Sequence, residues 1–169
     1  MPAVLVHGVP ETPAVWDLLR AQLKRADVIA LQLPGFGCPR PAGFGATKEE
    51  YVAWLVGELE QIAAQGPIDL VVIVAHMGHP YEELLMNYMR KWPNLYVSCT
   101  AYAPRYMDPA LVAFMNTKTY RGRVIWGSDE PWFPMRRSLT EARALPLDDD
   151  AMAQFLGVTA RKLLDRTAR

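Results

Sequence analysis

The sequence predicts an α/β protein in which a parallel sheet lies between two layers of helix. Two observations carry this reading. Short β-rich runs alternate with longer helical patterns along the whole chain, the order that builds βα units with right-handed crossovers. The strand candidates are also mostly continuous apolar runs, as strands covered on both faces should be.

Five strands are expected, at Val4–His7, Val28–Leu33, Asp69–Ala75, Leu95–Thr100 and Arg123–Gly127. Helices are expected at Thr12–Leu23, Thr47–Ala64, Tyr81–Trp92, Asp108–Met115, Pro134–Ala144 and Asp149–Thr167. The Thr47 helix has the clearest signals: Thr47 with Glu50 makes a capping box, and Tyr51, Leu55, Leu59 and Ile62 form an apolar stripe. Asp108-Pro109 is a cap followed by proline at the first helical position. The acidic run Asp148–Asp150 complements the positive end of the helix it opens. That last helix is amphipathic through Met152, Phe155, Leu156, Leu163 and Leu164, and is expected to dock onto the sheet. Pro34–Gly45, rich in proline and glycine, reads as a long loop.

The chain has 169 residues, 51% of them hydrophobic, which suits a single α/β domain over residues 1–169. Lys and Arg number 18 against 18 Asp and Glu. A zero net charge gives no basic face for nucleic acid or an anionic membrane, so neither partner is expected. No apolar run approaches the roughly 20 residues that span a bilayer. The start, Met1-Pro2-Ala3-Val4, lacks the basic and apolar regions of a signal peptide. Cys38 and Cys99 form neither a disulfide framework nor a CxxC pair. A cytoplasmic location is therefore expected. Gly35-x-Gly37 and Gly43-x-Gly45 lack the strand-to-helix setting of a dinucleotide fingerprint.

Two stretches carry family resemblances. Val4-Leu5-Val6-His7-Gly8-Val9-Pro10-Glu11-Thr12, Trp16, Leu33-Pro34-Gly35-Phe36-Gly37, the Thr47–Ala64 helix and Gly66-Pro67-Ile68-Asp69-Leu70-Val71 make up the first. Residues 1–71 thereby resemble the α/β-hydrolase superfamily, its epoxide-hydrolase and haloalkane-dehalogenase branch. The second comprises Val72–Ala75 with His76-Met77-Gly78, Pro93-Asn94-Leu95-Tyr96-Val97, Ala101-Tyr102-Ala103-Pro104-Arg105-Tyr106 and Val124-Ile125-Trp126-Gly127-Ser128-Asp129-Glu130-Pro131. Residues 72–169 thereby resemble the C-terminal part of a metal-dependent amidohydrolase barrel related to aminocarboxymuconate-semialdehyde decarboxylase. That resemblance implies a catalytic role for His76 and a metal-ligand role for Asp129.

Because the two resemblances meet within Leu70–Ile73, the favoured reading is a chimera, engineered rather than gradually evolved, without an intact parental active site. Joined at the shared strand, the parental orders give a three-layer, doubly wound, five-stranded sheet of flavodoxin-like or Rossmann-like order 2-1-3-4-5. Its switch point lies beside strands 1 and 3, where His7, Gly8 and Glu11 would meet His76, Gly78 and His79. These residues are the ligand-binding candidates, and an anion on the amides of Gly8 and Gly78 is one alternative function.

Hydrolase chemistry of the first family needs a nucleophile–base–acid set. Its elbow position falls on Met77, whose thioether cannot serve. Metal-assisted hydrolysis or decarboxylation needs about three protein ligands. The early and strand-five histidine ligands of the second family are missing, and strands 3 and 5 of an open sheet stand roughly 10 Å apart. The favoured reading therefore carries no cofactor. The alternative is an amidohydrolase-type enzyme using His76 and Asp129 with zinc or manganese. Adjacent Asp129 and Glu130 are expected to point apart into solvent. Exposed sheet edges or apolar helices are expected to pair the chain as a homodimer.

Overall fold

A computed structural model describes residues 2–67 and 71–165. The backbone falls into two compact units, Met1–Asp69 with Asp165–Arg169, and Leu70–Leu164.

In the first unit, β1 (Ala3–Leu5) pairs in parallel with β2 (Val28–Ala30), Val4 opposite Ile29. Between them, the predicted Thr12–Leu23 helix is a 3₁₀ turn at Pro13–Trp16 followed by the short α1 (Asp17–Gln22). Proline at its start favours the tighter turn, because it fixes φ and supplies no amide donor. Past β2, Leu33–Pro34 (β3) and Gly37–Cys38 (β4) pair within the predicted loop, with the Gly35 amide donating to the Cys38 carbonyl at 2.7 Å. Gly35 sits at φ +84°, a conformation glycine adopts without a Cβ penalty.

Next comes α2 (Lys48–Ala64), capped as the sequence predicts. The Thr47 hydroxyl accepts from the Glu50 amide at 3.3 Å, and the Glu50 carboxylate accepts from the Thr47 amide at 2.9 Å. A third bond, from the Gly45 amide, also ends on Glu50. The Gly45 amide, then the Thr47 amide and hydroxyl, hold the Glu50 carboxyl below its usual range. Of the expected stripe, Ile62 is buried, while Tyr51, Leu55 and Leu59 are half-buried.

In the second unit, β5 (Val72–Val74), β6 (Leu95–Ser98) and β7 (Val124–Ile125) form one parallel sheet in chain order. The register sets Val74 opposite Val97, and Val97 opposite Val124. Around it pack α3 (Glu82–Lys91), α4 (Pro109–Met115) and α5 (Met135–Arg143). Met86 and Met89 of α3, Leu111, Phe114 and Met115 of α4, and Ala142 of α5 join Val97, Cys99 and Val124 in one core. The Asp108 side chain caps α4, accepting from the Ala110 amide at 2.7 Å.

The predicted C-terminal helix is interrupted. After α6 (Asp149–Ala153) the chain makes a wide turn at Gln154–Val158, with Gly157 at φ +144°, before α7 (Thr159–Leu164). A π-type turn leaves a carbonyl without its helical partner. Here the Phe155 carbonyl accepts from the Trp126 amide at 2.9 Å, tying the turn to the end of β7, while the Phe155 ring fills the core. Leu164, assigned to the docked face, is 39% exposed. Asp148 caps α6 through the Ala151 amide at 2.8 Å, and Arg121 pairs with both Asp148 and Asp150.

The structure is thus mixed α/β with parallel sheets, as expected at the coarse level. The single five-stranded sheet of order 2-1-3-4-5 is not shown: the sheets of the described residues, each within one unit, are β1–β2, β3–β4 and β5–β6–β7. The third predicted strand, Asp69–Ala75, begins outside the described residues; its described part forms β5, the first strand in the order β5–β6–β7. Val72 and Ile73 are 39% and 46% exposed.

Candidate functional site

In the second unit, the carboxyl ends of β5, β6 and β7 share one feature. Each strand is followed by a residue other than glycine in the left-handed region: His76 (φ 58°) and Met77 (φ 56°) after β5, Ala101 (φ 61°) after β6, and Asp129 (φ 66°) after β7. Side-chain sterics oppose this conformation by roughly 1–2 kcal/mol per residue. Such strain gathers at functional sites. His76, Met77 and Gly78 form a tight turn in which the Gly78 amide donates to Ala75 and the His79 amide to His76, both at 3.0 Å. Leu85 of α3 closes on it, its Cδ1 1.9 Å from where a Cβ on Gly78 would stand, and Gly78 itself sits at φ +66°, where glycine carries no Cβ penalty.

The turn presents two imidazoles. His76 is exposed, and its Nδ1 lies 3.0 Å from the Thr100 carbonyl just past β6. A carbonyl only accepts, so in the neutral ring Nδ1 carries the proton and Nε2 the lone pair. His79 Nδ1 lies 2.7 Å from the Glu82 carboxylate at the start of α3, and its ring lies against Tyr102, 5.3 Å between centroids. Nε2 of His79 is likewise left as the acceptor. A carboxylate or carbonyl behind Nδ1 fixes the tautomer and the ring orientation.

Asp129 is half-buried, with its carbonyl accepting from the Trp132 amide at 3.0 Å and the Phe133 amide at 3.3 Å. Its neighbour Glu130 is exposed, and the Glu130 amide donates to Ser128 Oγ. Met77, at the position a hydrolase nucleophile would take, is 2% exposed and belongs to the core.

The remaining candidates lie in the first unit or are already engaged. His7 is 4% exposed; Nδ1 donates to the Gly8 carbonyl at 2.9 Å and Nε2 accepts from the Leu33 amide at 3.3 Å. With both ring nitrogens used by backbone, His7 is a structural histidine that holds the start of β3 beside the end of the first strand segment. Gly8 and Glu11 are exposed. The Gly78 amide, a candidate for anion binding, is satisfied by Ala75 instead.

Next to the strand ends lies a pocket of about 290 Å³ that the sequence does not indicate. The segment after β6 and the first turns of α5 form its walls, with Tyr102, Tyr106 and Phe133 as its aromatic lining. Arg105 and Arg137 both donate to Glu141 Oε1 there, Arg137 through Nε at 3.0 Å. Burial pushes the Glu141 carboxyl up; the hydrogen bond from Arg137 and the charge of Arg105 outweigh it, and the net shift is downward.

A family model described as "Amidohydrolase" matches residues 4–166. The chain belongs to the amidohydrolase family. That one match crosses the Leu70–Ile73 segment where two families had been expected to meet, and neither an α/β-hydrolase portion nor a chimera finds support in it. Among solved structures, the crystal structure of an uncharacterized TIM-barrel protein from Bordetella bronchiseptica is similar, at 24% identity and a TM-score of 0.52. The similarity covers 81% of this chain and 44% of that one, so the chain matches less than half of that barrel protein's length. None of the curated proteins matches the chain.

Membership of the amidohydrolase family raises the question of a metal. His76 Nε2 and Asp129 are chemically suited to zinc or manganese, both lying past strand ends of one sheet. Yet among the described residues no three His, Cys, Asp or Glu side chains gather closely enough to hold an ion. A metal centre wants about three such donors. The described residues therefore do not fit a complete one. Among them, no helix is long and apolar enough to cross a membrane.

Proposed function

We propose that this chain carries the proton-transfer part of an amidohydrolase-type active site, acting in hydrolysis or decarboxylation, with His76 and Asp129 at its centre. The observation that supports this best is His76: an exposed imidazole on a strained turn, its Nδ1–H held by the Thr100 carbonyl and its Nε2 open. An imidazole so held takes a proton from water or a substrate at Nε2, and the carbonyl behind Nδ1 steadies the imidazolium that results. His79, backed by Glu82, is a second base on the same turn. Asp129, past the end of β7, contributes a carboxylate from the far strand of the sheet. With two donors from this sheet, zinc or manganese would need further ligands from outside the described residues.

The test is turnover of small ester, amide and carboxylic-acid substrates by the full chain, with zinc or manganese supplied and withheld. Turnover is expected, and His76→Asn is expected to lower it by about 10²- to 10⁴-fold, the usual worth of a positioned acid–base group. Asp129→Asn should lower it as well. Turnover that survives His76→Asn unchanged, or none with either metal, would overturn the reading.

A further inference from the structure

The pocket between the segment after β6 and α5 includes neither His76 nor Asp129 in its lining. Its polar groups are unbalanced. Arg105 and Arg137 bring two positive charges, and Glu141 one negative, so the pocket carries an excess positive charge. Glu141 receives both guanidinium groups on the single oxygen Oε1. Its carboxylate thereby fixes two arginines at one wall of the pocket without neutralising both.

Donor capacity remains there. Arg137 uses Nε for Glu141, and its side chain is 63% exposed. Buried Ser138 accepts from the Trp126 indole at 3.1 Å, which leaves the seryl O–H to donate. The rings of Tyr102, Tyr106 and Phe133 line the same pocket, with the Arg105 guanidinium over the Tyr106 ring at 4.5 Å and donating to its hydroxyl at 3.1 Å. The combination suits a flat apolar body with one anionic head: rings take the body, and planar guanidinium forks take two oxygens of the head. An ammonium ligand meets two like charges for every opposite one.

We infer that this pocket is a binding site for a small aromatic anion, held by Arg137, Arg105 and Ser138 through its carboxylate or sulfonate head. The inference does not rest on the proposed catalytic reading, because binding here requires neither turnover nor a metal.

Titration calorimetry of the metal-free full chain tests it, with benzoate, benzenesulfonate, benzyl alcohol and benzylamine as probes. Benzoate and benzenesulfonate are expected to bind with millimolar or better affinity, weakening as salt is raised. Benzyl alcohol and benzylamine are expected to bind at least about tenfold more weakly. Arg137→Gln should cost benzoate about tenfold in affinity. Its exposed side chain makes it a substitution that leaves the fold in place, and circular dichroism checks this. Arg136→Gln, one residue away and outside the lining, should leave affinity unchanged. Benzylamine binding as tightly as benzoate, no heat with either anion, or an Arg137→Gln protein that binds benzoate normally would each overturn the inference. Loss of turnover in the catalytic test leaves these outcomes unaffected, so the two readings fail separately.

Discussion

The two units are held together by different means. Among the described residues of the first, the buried side chains are His7, Leu31, Leu33, Pro34 and Ile62, and its strands β1 and β2 are three residues each. Leu18 of α1 is 86% exposed. What orders this unit is a set of directed polar contacts: the Thr47–Glu50 box, the two bonds of His7, and the Arg25–Asp27 pair. The second unit instead closes on a continuous core from Met77 to Phe155, to which α3, α4 and α5 all contribute. Burial grows with every methylene removed from water, at roughly 25 cal/mol per Å², whereas one net hydrogen bond contributes about 1 kcal/mol. The sturdier unit should therefore be the one that also carries the strained turns.

Truncating the sturdier core gives the largest expected change. Phe155→Ala should cost about 3–5 kcal/mol in urea unfolding, because the ring leaves a cavity and the turn at Gln154–Val158 loses its anchor. A cost under about 1 kcal/mol would mean that the core can collapse around the gap, and the contrast between units would weaken. In the first unit, His7→Ala should cost about 1–3 kcal/mol by leaving the buried Leu33 amide without its acceptor. Thr47→Ala should cost about 1 kcal/mol, read as lost helicity together with a lower midpoint.

A smaller, pH-dependent effect sharpens the comparison further. The hydrogen bond from Arg25 holds the Asp27 carboxyl down to about 2, against an ordinary value of 3.8. A depressed carboxyl stabilises the folded state above its unfolded pKa. That stabilisation is present above about pH 4 and is lost as pH falls toward 2. Asp27→Asn should flatten this part of an acid titration, followed through the first unit's signals. An unchanged acid limb would show that the pair contributes nothing measurable, as exposed ion pairs often do.

The parts of this architecture that sequence could reveal are the local ones. Thr47 with Glu50, Asp108 with Pro109, and Asp148 ahead of Ala151 announce helix starts because a cap needs only its own next three residues. The order β5–β6–β7 is legible through the resemblance of residues 72–169 to a barrel, in which consecutive strands are neighbours. His76 and Asp129 could be placed past strand ends for the same reason. His79 with Glu82, at i and i+3 across a helix start, carried a local signal too, but the pairing emerges only with the structure. The left-handed backbone at His76, Met77, Ala101 and Asp129 has no side-chain signature, since glycine is the residue that marks such positions. Nor could the pocket be foreseen: Arg105 and Glu141 are 36 residues apart, and only the arrangement of strand ends brings them to one carboxylate. The interrupted last helix hides in the same way, because Gly157 within an amphipathic pattern reads as a tolerated glycine until the Trp126 amide is seen to claim a carbonyl.

The two cysteines make the molecule its own pair of clocks. Cys38 lies in the first unit, partly accessible and donating to the Gln32 carbonyl; Cys99 lies in the second, fully buried, where burial pushes its thiol up to about 11. Alkylating reagents attack thiolates, so Cys38 modification should follow the ordinary rhythm of a surface loop, and Cys99 should wait for its whole unit to open. Each half of the chain thus reports its own opening rate from a single native thiol.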